Sequence, residues 1–164
     1  KEALNNLGSL YLVQGQNFQA LALYDQLIQD YPNFADGHYN RGQAAMRLNR
    51  LAIAQESFSA SVELLPQVDG FVALGQVLVK ANQLEAAVNA FEQAARMEPE
   101  RPEHHYNVAA ILLSMGEHQW QADQPAVAQR LWWQAHERLV KTLQLDSQHV
   151  RALRHLAELK RRLQ

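Results

Sequence analysis

Three residue types return along this chain at a nearly constant interval, and that interval constrains the fold more than any local preference. Gly8, Gly42 and Gly75 lie 34 and 33 residues apart, Pro32, Pro66 and Pro99 repeat the same steps, and Ala20, Ala54 and Ala87 fall between them. A period of this length with two helical stretches per unit marks stacked helical hairpins. Each glycine falls inside a helical pattern, where it costs about 1 kcal/mol against alanine. The cost is tolerable where the missing side chain lets two helices cross closely, with the alanines supplying the facing small surface and Tyr24, Phe58 and Phe91 filling the gaps. Each proline stops a second helix because it lacks the amide that a continuing helix needs.

The pattern predicts helices over residues 2–14 and 17–30, 34–48 and 51–64, 68–81 and 84–97. Their turns read Gly15-Gln16-Asn17, Asn49-Arg50 and Asn82-Gln83, where Gly and Asn tolerate the left-handed backbone that ends a helix. The fourth unit departs from the rule. Ala109 stands where the others have glycine, Ala135, Leu139 and Thr142 occupy the second-helix sites, and Ser147 replaces proline. Ala109 and Ala135 are 26 residues apart, against 12 for Gly75 and Ala87. The 14 extra residues amount to two heptads, so the expectation is two lengthened helices, residues 103–122 and 125–145. A tight turn at Asp123-Gln124-Pro125 would join them, with proline well placed in a first helical turn. Seven residues per arm would carry the hairpin about 10 Å beyond its neighbours. Residues 148–163 repeat the first-helix pattern once more through Leu153, Leu156 and Ala157. They read as a polar end helix or as a unit cut short.

The large residue, Leu-Gly, Tyr, Ala, aromatic and Pro sites read Leu4, Leu7-Gly8, Tyr11, Ala20, Tyr24 and Pro32 in the first unit. They read His38, Arg41-Gly42, Ala45, Ala54, Phe58 and Pro66 in the second, and Phe71, Leu74-Gly75, Leu78, Ala87, Phe91 and Pro99 in the third. On these residues the chain closely resembles a tetratricopeptide repeat array. The resemblance implies an all-α, right-handed solenoid of antiparallel helix pairs in a single domain. Four repeats are expected, at about 1–32, 33–66, 67–99 and 102–147, with a C-terminal capping helix over 148–163. Residue 1 already lies inside a repeat and is not methionine, so a piece of a longer protein is expected.

With 164 residues, 48% of them hydrophobic, the chain is long enough for a continuous core. No apolar run approaches the roughly 18 residues of a membrane span, so membrane insertion is not expected. The absence of cysteine excludes disulfides and thiolate metal sites and points to a reducing, cytoplasmic setting. The net charge of −2 hides an asymmetry: up to Gln129 there are 7 Lys and Arg against 14 Asp and Glu, and from Arg130 onward 8 against 3. The two ends should carry opposite fields. That division reads either as solvated ends or as a docking surface.

Catalytic, metal and cofactor sites are not expected. His104 and His105 are adjacent in sequence, so they point about 100° apart on a helix and cannot chelate one ion. His136-Glu137 opens a zinc-protease pattern, but Val140 stands where its second histidine belongs. No glycine-rich phosphate loop or nucleophile elbow is present. The histidines are expected to be surface or half-buried residues. Nucleic acid is not an expected partner, because only the terminal arginines favour it and no face interleaves aromatic and basic residues.

The resemblance implies recognition of a protein or peptide in a concave groove lined by first helices. Helical geometry assigns to that lining Asn5, Asn6 and Ser9, then Tyr39, Asn40 and Gln43, then Gln76, then Tyr106 and Asn107. Carboxamides offer donors and an acceptor together, suited to a peptide backbone of any sequence. The subclass of this family that grips the C-terminal carboxylates of Hsp70 and Hsp90 uses Lys and Asn, then Asn, then Lys and Arg. Only Asn40 matches; Asn5, Ser9, Asp69 and Ala73 fill the other sites, and Asp69 would repel the carboxylate, so that ligand is disfavoured. Acids at the first-helix mouths, Glu2, Asp36, Asp69 and Glu103, read either as stabilisers of helix N-termini, at about 0.3–1 kcal/mol each, or as an acidic rim that favours basic peptides. All three tryptophans, Trp120, Trp132 and Trp133, fall in the lengthened hairpin. Trp132 should pack inside it, while Trp120 and Trp133 offer a second interface, for self-association or docking.

Overall fold

Within each hairpin the two helices are joined where glycine, asparagine or aspartate takes a left-handed backbone. The computed structural model describes residues 1–163, with nine α-helices and no strand among them. They are α1 (Glu2–Val13), α2 (Asn17–Asp30), α3 (Ala35–Arg47), α4 (Leu51–Leu64), α5 (Val68–Lys80), α6 (Leu84–Met97), α7 (Pro102–Gln121), α8 (Pro125–Leu145) and α9 (Val150–Arg162). Gly15, Asn49, Asn82 and Asp123 take φ of 75°, 56°, 57° and 57° at the four tight turns. After each, the next amide reaches back five residues: Gln16 to Tyr11, Arg50 to Ala45, Gln83 to Leu78 and Gln124 to Gln119, at 2.8–2.9 Å. That bond, with the shorter one inside it, is the Schellman closure of a helix end.

The contacts gather into two units, Lys1–Gln83 and a second from Leu84 onward. In the first, α1 pairs with α2 and α3 with α4, α2 and α4 pack on α3 and α5 respectively, and α1 lies beside α3. Ala20, Leu21, Tyr24, Leu27, Ala44, Ala45, Ala54, Phe58 and Val77 form its core. A Cβ placed on Gly8 would stand 2.5 Å from Cζ of Tyr24, and one on Gly42 2.6 Å from Cε1 of Phe58. The aromatic rings therefore fill the space that each glycine leaves. Arg41, at a site that is leucine in the units on either side, is almost buried and is neutralised locally. Its guanidinium donates to Asp25 at 2.6 Å, to Glu56 at 3.0 Å and to Ser57 at 2.9 Å. Arg47 donates to the Leu12 carbonyl near the end of α1. On the other side of α1, Leu7, Leu10 and Val13 are exposed, as is Phe18 of α2.

In the second unit α6 packs on α7, α7 on α8, and α8 on α9. With 20 and 21 residues, α7 and α8 are each seven longer than α3 and α4. Pro125 occupies the first turn of α8, as the sequence predicts. Both ends of the hairpin keep the register of an ordinary repeat. At the base, His105 Nε2 donates to the Pro99 carbonyl at 2.8 Å, as His38 does to Pro32 at 2.7 Å. At the tip, a Cβ on Gly116 would meet the Trp132 indole at 2.4 Å, which repeats the glycine–aromatic crossing. Ala109, Ala128, Ala135, Leu139 and Thr142 are fully buried. His104 and His105 are buried as well, correcting the expectation of surface or half-buried histidines. Nε2 of each is bonded, to Glu98 and to the Pro99 carbonyl, while each Nδ1 is buried without a partner among the described residues.

Candidate functional site

The residues expected to line a groove fall in both units. In the first unit, α1, α3 and α5 present an amide and aromatic face whose members hold one another. The Asn40 amide donates to Oδ1 of Asn5 at 2.8 Å, tying α3 to α1. The Gln43 amide donates to the Tyr39 hydroxyl at 2.9 Å, and the Tyr39 ring rests on Phe58 at 5.7 Å between centroids. Ser9 donates to the Asn5 carbonyl at 3.0 Å and lies 3.1 Å from the Tyr24 hydroxyl, so it serves the interior. Burial raises the Tyr24 phenol above its ordinary value, with the Ser9 bond opposing. Asn6 and Gln76 are exposed. The face therefore combines braced amides, each keeping part of its bonding capacity, with two open ones.

Tyr106 and Asn107 belong to the second unit, on α7. Asn107 is half-buried, but Tyr106 is only 6% exposed. Its ring lies 4.7 Å from that of His149 and 5.8 Å from that of His155, with the Arg151 guanidinium 4.6 Å from its centroid. Helix α9 covers it, so Tyr106 is a packing residue and not part of an open lining. The sequence carries no signal for the rotation of α9 that covers Tyr106.

The lengthened hairpin carries two exposed indoles. Trp133 is 55% exposed with its ring edge-on to His136, and Trp120 is 50% exposed, 5.5 Å from the buried Trp132. A cleft of about 280 Å³ between α7 and α9 is floored by Leu113, Trp132 and Leu159 and edged by Glu117, Glu158 and Arg162. An adjoining space of about 340 Å³ adds Trp120. Arg162 donates to Glu117 and lies 5.4 Å from the Trp132 ring centroid. The 12- and 16-residue steps from Gly116 to Ala128 and Trp132 match those of the other units, and they are the overlooked signal for this second crossing. The meeting of Glu117 with Arg162, 45 residues away, has none.

Two carboxylates are held below their ordinary range. Glu2 is lowered chiefly by its own backbone amide at the start of α1, and Glu98 by hydrogen bonds from His104, at 3.0 Å, and Arg101. Neither lies with a nucleophile. Among the described residues no group of three or more His, Asp or Glu is placed to hold a metal, and no helix is long and apolar enough to cross a membrane.

Comparison with known proteins agrees with this geometry. A crystal structure of MamA superposes with a TM-score of 0.80 at 19% identity, over 96% of this chain and 79% of that one. YrrB, described as a tetratricopeptide repeat protein with an unusual peptide-binding site, gives 0.64 at 20% identity, over 92% and 89%. The first repeat domain of Spaghetti (RPAP3), solved with the HSP90 peptide SRMEEVD, gives 0.65 at 23%, over 69% and 90%. No curated protein matches the chain by sequence. These likenesses place the chain among all-α solenoids built of helix pairs. The tetratricopeptide repeat model matches residues 5–69 and 72–124, and the chain belongs to the tetratricopeptide repeat family.

Proposed function

We propose that this chain is a non-catalytic protein-interaction module that holds an extended peptide segment against the amide face of its first unit. The carrying observation is the braced set Asn5, Asn40, Tyr39 and Gln43, flanked by the open amides of Asn6 and Gln76. Side chains fixed by one another lose little entropy when a ligand arrives. Their remaining donors and acceptors suit a peptide backbone. The peptide-binding descriptions of YrrB and Spaghetti support the class of ligand. The Hsp70 and Hsp90 carboxylate remains disfavoured, since Asn5, Ser9, Asp69 and Ala73 stand at its gripping sites.

An immobilised array of random peptides tests this reading. Peptides retained by the native chain should lose at least tenfold in affinity for an Asn6→Ala, Asn40→Ala, Gln43→Ala variant of unchanged helicity. Equal retention would remove the amide face from the reading. Self-association through the hairpin is the second reading, and the exposure of Trp133 favours it.

A further inference from the structure

We propose that the cleft between α7 and α9 is a seat for an arginine side chain presented by a partner peptide, and that Arg162 fills it in the free chain. The inference does not rest on the amide face of the first unit. The seat pairs a fixed ring with a carboxylate. Trp132 is 3% exposed and lies against Gly116, so its ring cannot turn away. Glu117 stands on the same helix as Gly116 and accepts from the Arg162 guanidinium, whose carbon lies 5.4 Å from the indole centroid. A planar cation over an indole and bonded to a carboxylate is the chemistry that selects arginine over lysine. The apolar floor of Leu113 and Leu159 accommodates the methylene stem. Half-exposed Trp120 leaves room for a second contact. Glu158 adds a further carboxylate to the lining.

The present occupant is held less firmly than the Trp132 ring. Arg162 is the last residue of α9, and both it and Glu117 are more than a third exposed. Exposed ion pairs of this kind contribute about 0–1 kcal/mol. An arriving arginine therefore competes with a weak internal ligand, and affinity falls only by the fraction of seats closed.

The test uses the full chain and acetyl-Gly-Arg-Gly-amide, with the lysine and glutamine analogues as further arms. Indole N–H resonances of Trp120, Trp132 and Trp133 report where binding occurs. The arginine peptide should move the Trp120 and Trp132 signals and leave Trp133 in place, with weaker binding by lysine and none by glutamine. Arg162→Gln should tighten the arginine peptide about two- to sixfold, with helicity checked by circular dichroism. Adding Glu117→Gln to that variant should weaken binding by up to about fivefold, the span of an exposed ion pair. The proposal is overturned if Arg162→Gln leaves affinity unchanged or lowers it. Equal binding of the glutamine peptide, or no binding of the arginine peptide at millimolar concentration, also overturns it.

Discussion

At Gly42 and Gly116 the absence of one methyl group sets the distance between two helices. A Cβ would enter the Phe58 ring at 2.6 Å and the Trp132 ring at 2.4 Å. Overpacking of this kind costs about 1–3 kcal/mol, against about 1 kcal/mol regained in helix propensity. Gly42→Ala and Gly116→Ala should each lower the melting temperature by a few degrees, at about 2–4 °C per kcal/mol for a chain of this size. Gly15→Ala meets no neighbouring atom, yet it should also destabilise, because φ there is +75°. The periodic glycines made these crossings legible in the first units. Glu98 supplies a separate prediction. Its carboxyl is held below the ordinary 4.5 by His104 and Arg101. A depressed carboxylate contributes stability above its unfolded pKa and loses it as pH falls through the folded one. Thermal melts of Glu98→Gln should therefore decline less steeply than the parent below about pH 4.5, and parallel curves would remove this contribution.

Among elements, the α7–α8 hairpin shows best what the sequence reveals and what it withholds. Its bounds follow from residue counting, because left-handed Asp123 and the proline after it mark the turn as plainly as Gly15 or Asn49 does. The burial of Tyr106 does not follow. It depends on the His149 that caps α9, and on Arg151 and His155 within that helix, all meeting one ring, a tertiary choice that helical periodicity leaves open. The Asn5–Asn40 bond is hidden for the same reason, since it joins two helices whose relative rotation no local pattern states. The three indoles should separate by role. Trp132→Ala removes a buried ring and should cost about 3–5 kcal/mol in denaturant unfolding, whereas Trp133→Gln should stay within about 0.5 kcal/mol. A large loss from Trp133→Gln would make it a packing residue and remove it as an interface anchor.

For the whole molecule, family and fold were legible because they rest on repetition, which sequence displays directly. The partner was not, since a face of amides admits many peptides. The charge division, with 14 of the 17 acidic residues before Arg130 and 8 of the 15 basic ones from it onward, bears on association between copies. Any self-assembly driven by it should weaken in light scattering between about 50 and 500 mM salt, as screening shortens from beyond 10 Å to a few ångströms. Assembly that resists salt would point to the exposed indoles instead. The seven-residue lengthening of each hairpin arm has one more consequence. Seven residues fall only about 20° short of two complete turns, so the far end can move outward in steps of roughly 10 Å while presenting the same side. Five would swing it by about 140°. The reach of such an arm is adjustable by whole rungs, and natural variation in its span should come in sevens.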